Sequence, residues 1–205
     1  ERRPIDGREV LATEGPPVRD EPTADGWRAW DPRRSKLAAM LECDLDLGLG
    51  AGDRVLYLGA AAGTTVSHVA DLAGPTYAVE FAARPMCDLV SVAADRPRLF
   101  PLLADARRPE RYAHVVEPVD VLVQDVATRG QADVALANRQ FLGDDGRLLL
   151  AVKARSEDVT RESRAVFDDV LETLREGYVV EGTADLAPYH EAHLGVVASP
   201  SSTDG

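Results

Sequence analysis

The feature that most constrains this chain is a regular alternation of short apolar runs with segments of helical periodicity, which begins at residue 54. The apolar runs are rich in Val, Leu and Ala and are bounded by Gly, Pro or Asp, as buried strands are. The predicted strands are residues 54–58, 76–80, 99–103, 119–123 and 147–153, and the predicted helices are residues 65–72, 85–95, 131–141 and 159–176. Strand–helix repetition is typical of a parallel sheet with helices on both faces. We therefore predict an α/β domain with a Rossmann-like sheet.

Two further strands, residues 178–185 and 193–198, follow with no helix between them, so we expect an antiparallel last strand and seven strands in all. Residues 1–34 are rich in Pro, Gly and charge and predict a small, irregular, β-rich N-terminal domain. Ser35 then caps a helix that we expect to end at Gly48 and Gly50. We divide the chain into this N-terminal domain, a main domain at 35–199 and a flexible tail at 200–205.

Composition adds an expectation about the surroundings of the protein. The net charge is −12, and there are two lysines against twenty-one arginines. Excess acid normally argues against a nucleic-acid partner, but in a very salty cytoplasm the Debye length falls to about 3 Å and dense carboxylates repel weakly. We therefore expect a halophilic, cytoplasmic protein whose acidity does not exclude RNA. No apolar run reaches the roughly 20 residues of a membrane span.

The two cysteines, Cys43 and Cys87, form neither a disulfide framework nor a metal-ligand pattern. We expect both to be buried as small apolar side chains in a reducing cytosol.

The turn after the first strand of the main domain has the composition of a nucleoside-binding loop. Gly59 allows a sharp exit from the strand, and Gly63 allows the backbone to approach a ligand. The loop lacks both the Gly-x-Gly-x-x-Gly pattern of dinucleotide sites and the Gly-Lys-Ser/Thr of P-loops. A nucleoside without phosphates, such as S-adenosylmethionine, fits better, and Glu80 is placed to bind its ribose diol.

Charged residues also follow the other parallel strands. Asp105, Asp125 and Lys153 come at the ends of the third, fourth and fifth strands. Because the carboxyl ends of parallel strands meet at one edge of a sheet, we expect these side chains and Glu80 to surround one site. A lysine is also the cation whose protonation responds most readily to burial, so Lys36 and Lys153 are candidates for chemistry.

Several segments together resemble the fibrillarin family, in its archaeal, haloarchaeal form. They occur in the order of the family over roughly residues 27–198: WDPRRSKLAA at 30–39, YLGAAAGTTVSH at 57–68, YAVEF at 77–81, DAR at 105–107, QDVA at 124–127, VKA at 152–154 and PYHEAH at 188–193. The resemblance implies a seven-stranded class I methyltransferase fold and S-adenosylmethionine as the cofactor, without a metal.

The resemblance also implies the residues of the site. Catalysis is assigned to Lys36, Asp125, Lys153 and His193. Cofactor contacts are assigned to Thr64, Thr65, Glu80, Phe81, Asp105, Ala106, Asp125 and Val126, to which we add the neighbouring Gly59, Gly63, Ala127 and Thr128. We expect Lys153 to contact the attacking 2′-hydroxyl and Asp125 to orient it. Candidate RNA contacts are Arg33, Arg34, Arg107, Arg108 and Arg129.

The implied activity is 2′-O-methylation of riboses in rRNA or tRNA. In this family a box C/D guide RNA selects the target, and a Nop-type scaffold and a kink-turn-binding ribosomal-type protein complete the ribonucleoprotein. Two departures matter: Thr128-Arg129 replaces the usual Gln-Pro, and His190 competes with His193. A small-molecule O-methyltransferase and a non-catalytic cofactor-binding subunit remain alternatives.

Overall fold

The computed structural model describes residues 1–201, which form two β-sheets with helices around the larger one. The strands are β1 (Arg2–Ile5), β2 (Arg8–Glu14), β3 (Thr23–Ala24), β4 (Trp27–Ala29), β5 (Val55–Leu58), β6 (Thr76–Glu80), β7 (Leu99–Leu103), β8 (Val119–Gln124), β9 (Leu142–Lys153), β10 (Tyr178–Asp185) and β11 (His193–Pro200). The helices are α1 (Lys36–Glu42), α2 (Thr64–Leu72), α3 (Ala83–Ala94), α4 (Gln131–Asn138), α5 (Ala154–Glu157) and α6 (Ser163–Leu174). Short 3₁₀ turns lie at Pro109–Arg111 and Arg139–Phe141.

The larger sheet has seven strands in the order β10-β11-β9-β8-β5-β6-β7. Strands β5 to β9 are mutually parallel, and β11 lies antiparallel between β9 and β10. The predicted α/β class and antiparallel last strand are therefore confirmed. The parallel strands all end at one edge, where Glu80 and Lys153 are the last residues of their strands and Asp125 directly follows β8.

The core has one layer on each face of this sheet, because successive strand residues point to opposite sides. Leu56, Leu122 and Leu148 pack on the face covered by α4 and α6. Tyr57, Val121 and Leu149 pack on the face covered by α1, α2 and α3. None of the helices in residues 1–201 is long and apolar enough to span a membrane.

Some predicted element bounds differ from those observed, and backbone conformation explains one of the differences and local hydrogen bonds explain another. Helix α1 ends at Glu42 and not at the glycines, because Asp44 adopts a left-handed conformation (φ 61°) that terminates it. The last long helix begins at Ser163 and not at residue 159, because the Asp158 carboxylate accepts from the N–H and the hydroxyl of Thr160 and forms a turn there. Ser35 caps α1 as predicted, with its Oγ accepting from the Ala38 N–H.

The prediction that both cysteines are buried is wrong. Cys87 is exposed, because α3 turns this side chain away from the sheet, and Cys43 is only partly buried.

The first two residues of the predicted flexible tail have defined contacts. Strand β11 includes Pro200, and the N–H of Ser201 donates to the carbonyl of Gly177. Residues 202–205 of the predicted tail lie outside the described residues.

The N-terminal segment is more regular than expected, since β1 to β4 form an antiparallel sheet in the order β1-β2-β4-β3. A buried ion-pair network joins this sheet to the larger domain. Arg28 of β4 donates two hydrogen bonds to Asp71 of α2, and Arg96 donates to the same carboxylate. The division between residues 34 and 35 stays a prediction.

Candidate active site

The loop between β5 and α2 brings the ends of two neighbouring strands into close contact. Gly59 has φ of 84°, and a Cβ at this position would lie 2.3 Å from the backbone carbonyl oxygen of Asp125. The N–H of Asp125 in turn donates to the carbonyl of Leu58. Glycine is therefore required at position 59 on two grounds, and its absence of a side chain allows Asp125 to lie directly beside the loop.

Glu80 is held at the end of β6 by two backbone donors. Its Oε2 accepts from the N–H of Ala61 at 2.8 Å, and its Oε1 accepts from the N–H of Ala82 at 2.7 Å. Each carboxylate oxygen can accept more than one hydrogen bond, so this fixed carboxylate can still bind hydroxyl donors.

A cavity of about 410 Å³ opens at the carboxyl ends of β5 to β8. It is lined by Gly59, Ala61, Val79, Glu80, Phe81, Ala104, Asp105, Ala106, Arg107, Asp125, Val126, Ala127, Thr128 and Val134. The wall is mostly apolar, and Phe81 is 70% exposed beside it, which is unusual for a large aromatic side chain. This combination suits a ligand with a flat apolar part and a few polar groups.

Most of the predicted cofactor residues line this cavity, but three do not. Gly63, Thr64 and Thr65 are absent from its wall. Thr64 lies instead in a smaller cavity of about 140 Å³, and its hydroxyl accepts from Arg19 Nε. The apolar residues Val79 and Val134 were not predicted, because nothing in a strand or helix pattern shows which apolar side chain lines a pocket.

Asp105 is paired with Arg107 at the cavity wall. Arg107 Nη2 lies 2.7 Å from Asp105 Oδ2, and its Nε lies 3.0 Å from Oδ1. Hydrogen bonding from this guanidinium lowers the pKa of Asp105. Arg107, predicted as an RNA contact, therefore lies against the cavity and holds one of the predicted cofactor residues ionised.

Asp125 is paired with Lys36 across 89 residues of sequence, with 2.9 Å between Lys36 Nζ and Asp125 Oδ2. Both side chains are about one-quarter exposed, at 24% and 23%. We expected Asp125 to orient Lys153, but its Oδ2 is taken by Lys36. Within residues 1–201, Lys153 Nζ has no carboxylate at ion-pairing distance. The capped start of α1 delivers Lys36 to the cavity rim.

His193 lies beside Lys153 because β9 and β11 pair these two residues directly. His193 Nδ1 donates to the carbonyl of Glu191 at 2.7 Å, which leaves Nε2 as an acceptor. Burial lowers the pKa of His193, with the Glu191 carbonyl opposing and Lys36 adding to the shift. His190 is engaged elsewhere, since its Nε2 donates to the carbonyl of Pro32 at 2.8 Å. The geometry favours His193 as the residue next to Lys153.

The remaining predicted RNA contacts are spread around this edge. Arg34 pairs with Asp20 on the surface. Arg33 lines a separate groove of about 660 Å³ beside the N-terminal sheet. Among the described residues, Arg33, Arg108 and Arg129 form no ion pair within 4 Å, so their guanidinium groups are available to phosphates.

Residues 1–201 contain no group of three or more His, Cys, Asp or Glu side chains arranged to hold a metal ion.

Comparisons with known proteins agree on one family. The family model described as Fibrillarin matches residues 12–202. The fibrillarin-like rRNA/tRNA 2'-O-methyltransferase of Halobacterium salinarum is 69% identical over 192 residues, covering 93% of this chain and 91% of that protein.

Two solved structures superpose closely on this one. A chain of a fibrillarin/Nop5p complex has a TM-score of 0.91 and 38% identity, with 98% of this chain and 97% of that chain covered. Fibrillarin of Aeropyrum pernix, solved with natively bound S-adenosyl-L-methionine, has a TM-score of 0.85 and 42% identity, with 94% and 90% covered.

Proposed function

Because this chain belongs to the fibrillarin family, we propose that it is an RNA 2′-O-methyltransferase that methylates riboses of rRNA and tRNA. The observation that carries the proposal is the juxtaposition of three features at one sheet edge. These are the cavity, the Lys36–Asp125 pair at its rim, and Lys153 beside His193. A nucleoside site next to two ammonium groups and a neutral imidazole is suited to transfer onto a hydroxyl.

The cavity residues fit S-adenosylmethionine as the cofactor. Glu80 would accept hydrogen bonds from the ribose diol, since two backbone N–H groups already fix its carboxylate. The exposed ring of Phe81 and the side chains of Ala106 and Val126 would pack against the adenine. When bound, S-adenosylmethionine would supply a methyl group on a positively charged sulfur, and the Asp125 carboxylate in the cavity wall would offset that charge.

Lys153 has the central role in the mechanism that we propose. Its ammonium would bind the attacking 2′-oxygen and stabilise the negative charge that develops as the hydroxyl loses its proton. His193 Nε2 is an acceptor beside Lys153, because Nδ1 is committed to the Glu191 carbonyl and the lowered pKa keeps the ring neutral. His193 could therefore accept the hydroxyl proton. Holding the ribose in line with the methyl group would supply much of the rate enhancement.

Lys36 has a different role in this scheme, since it is bonded to Asp125 and not free. The pair fixes the Asp125 carboxylate at the cavity wall while leaving Lys36 partly exposed. A lysine has three donors, so Lys36 could also contact a phosphate next to the target ribose.

The acidity of the chain makes partner proteins part of the proposal. A protein with net charge −12 gains little RNA affinity from its overall field. We propose that a Nop-type scaffold, a kink-turn-binding protein and a box C/D guide RNA hold the target, while Arg33, Arg108 and Arg129 contact phosphates locally. The similarity to a chain of a fibrillarin/Nop5p complex supports the scaffold partner. A high-salt archaeal cytosol is the setting we propose.

Reconstitution tests this function. The protein is combined with the scaffold, the kink-turn protein, a box C/D guide and a target RNA, and methylated riboses are mapped. We expect one methylated ribose, which disappears when that nucleotide carries 2′-deoxyribose. Methylation of the deoxy substrate would rule out the ribose acceptor. Cofactor binding without methylation of any assembled target would indicate a non-catalytic subunit, and magnesium-dependent methylation of a catechol would indicate a small-molecule enzyme.

A further inference from the structure

Strand β9 extends past the end of its parallel neighbour, and Lys153 lies in the part that extends. The last pair between β8 and β9 joins Gln124 to Leu150. No residue of β8 pairs with Lys153, which lies three residues farther along β9, although β11 pairs with Lys153 on the other side through His193. A buried strand end in this position needs other groups to satisfy its N–H and C=O.

The side chain of Gln131 takes the place of the missing strand. Its Oε1 accepts from the N–H of Lys153 at 2.9 Å, and its Nε2 donates to the carbonyl of Lys153 at 3.1 Å. The amide thus supplies both the acceptor and the donor that a neighbouring strand would supply. Gln131 is 0% exposed, so water does not compete for these bonds.

Three further contacts fix the orientation of Gln131. Glu157 Oε1 accepts from both the backbone N–H and the Nε2 of Gln131, at 2.6 and 3.0 Å. Gln124 Nε2 donates to the Gln131 carbonyl at 2.7 Å. A flipped Gln131 amide would place its NH₂ against the Lys153 N–H and its oxygen against a carboxylate, so only the orientation described is compatible with the surroundings.

We infer that Gln131 is a positioning residue for Lys153, an inference that rests on the function proposed above. Within the described residues Lys153 Nζ has no carboxylate partner, so its position depends on its backbone. Strand β11 fixes one side of that backbone and Gln131 fixes the other. A misplacement of about 1 Å in a reacting group can lower a rate by about 100-fold. The contact is therefore worth more to catalysis than an ordinary buried hydrogen bond is to stability.

The first arm of the test measures how firmly Gln131 holds the backbone of Lys153, without any activity assay. The chain has only two lysines, so protein labelled with [15N]lysine shows two lysine amide signals, from Lys36 and Lys153. In Gln131→Met, which keeps the side-chain length but removes both bonds, we expect the Lys153 amide to exchange with solvent at least about tenfold faster. The Lys36 amide serves as the internal reference. The matched control is Gln140→Met, because Gln140 is exposed and only donates to the nearby Ala137 carbonyl.

The second arm measures methyl transfer under single-turnover conditions in the reconstituted complex. We expect Gln131→Met to lower the rate by about 10- to 100-fold, with cofactor affinity within about twofold of wild type. In a Lys153→Met background the same change should lower the rate by less than about twofold, because its effect passes through Lys153. A merely structural loss would lower the rate by the same factor in both backgrounds.

Each outcome has one meaning. Unchanged exchange at the Lys153 amide in Gln131→Met would show that the Gln131 side chain does not hold the end of β9. Faster exchange with an unchanged rate, or equal losses in both backgrounds, would overturn the positioning role. If wild-type protein transfers no methyl group to any assembled target, the proposed function fails by itself, and the exchange measurement still decides whether Gln131 holds Lys153.

Discussion

Asp71 and Asp125 both form ion pairs with cations from other parts of the chain, and the surroundings of the two aspartates differ sharply. Asp71 is shared by Arg28 and Arg96 beneath the N-terminal sheet, where the three side chains are 7%, 0% and 4% exposed. Asp125 pairs with Lys36 at the cavity rim, where both side chains are about one-quarter exposed. We call the Asp71 network the closed junction, because it is shielded from solvent, and the Lys36–Asp125 pair the open junction, because solvent reaches it.

The choice of cation follows from this difference. Arg28 donates two hydrogen bonds to Asp71 and one to Ser67, which a planar guanidinium does in a fixed geometry. Burial lowers the pKa of Arg28, and the Asp71 carboxylate opposes that shift. Lys36 makes a single bond to Asp125 and retains two donors. In a chain with two lysines, both lie where an ammonium can contact a ligand, and the permanent pairs use arginine.

The largest effect should come from Lys153 at the open edge. We expect Lys153→Met to lower the single-turnover methylation rate by about 10³- to 10⁴-fold, because the ammonium beside the 2′-oxygen is lost. Cofactor affinity, measured by calorimetry, should stay within about twofold, since Lys153 does not line the cavity. A rate within tenfold of wild type would remove Lys153 from the mechanism.

A substitution in the closed junction should lower the stability of the protein and leave its methylation rate unchanged. Asp71→Asn removes the counter-charge of Arg96 and leaves Arg28 with only Glu21, 3.5 Å away, so we expect the free energy of unfolding to fall by about 3–5 kcal/mol and the Tm by about 10 °C. The control is Asp169→Asn, which breaks the exposed pair with Arg161 and should leave the Tm within about 1 °C. Equal Tm shifts in the two variants would mean that burial does not distinguish these pairs.

Exchanging the cations between the junctions sharpens the comparison. Lys36→Arg should lower the methylation rate by about tenfold with little change in Tm, because the larger guanidinium does not fit a site for a compact ammonium. Arg28→Lys should lower the free energy of unfolding by about 2 kcal/mol, since one ammonium cannot replace the fork of hydrogen bonds, and folded protein should keep its rate. The two variants are compared by thermal melting and single-turnover assays. If each changed both properties, the division between an open and a closed junction would not hold.

Strand and helix periodicity was enough to predict the sheet and its carboxyl edge. Strands β6, β7 and β10 have the predicted bounds, and Glu80, Asp125 and Lys153 lie at the edge where parallel strands end. The periodicity reports which face of an element is buried, and this information is local. It therefore predicts the direction in which a strand delivers its last residue.

Side-chain pairing was not predictable in the same way, because it depends on residues far apart in sequence. Arg28 and Asp71 are 43 residues apart, and Lys36 and Asp125 are 89 apart. Gln131 was predicted only as the first residue of a helix. Its contact with Lys153 arises because β9 extends past the end of β8. The ends of strands are the least certain part of a pattern-based prediction.

The smallest effect that we predict is a pH dependence of the free energy of unfolding that comes from His68, near the closed junction. His68 Nδ1 is hydrogen-bonded to Thr13 Oγ1 at 2.7 Å, and its ring stacks on Trp30 at 5.1 Å. Burial, with Arg28 and Arg96 adding to it, lowers the pKa of His68 to about 2. The unfolded state, in which a histidine titrates near about 6.5, then binds more protons, so stability is fully present above that pH and falls as the pH decreases from there.

The loss should be about 1.5 kcal/mol between pH 6.5 and 5, from a slope that approaches about 1.4 kcal/mol per pH unit. Denaturant unfolding of wild type and His68→Gln across pH 5–7.5 measures it. The variant should lose less stability toward pH 5, because the contributions of all other groups, His193 included, are common to both proteins and cancel in the difference. Parallel curves would mean that His68 can be protonated in the folded state. The closed junction would then admit water and charge much as the cavity rim does.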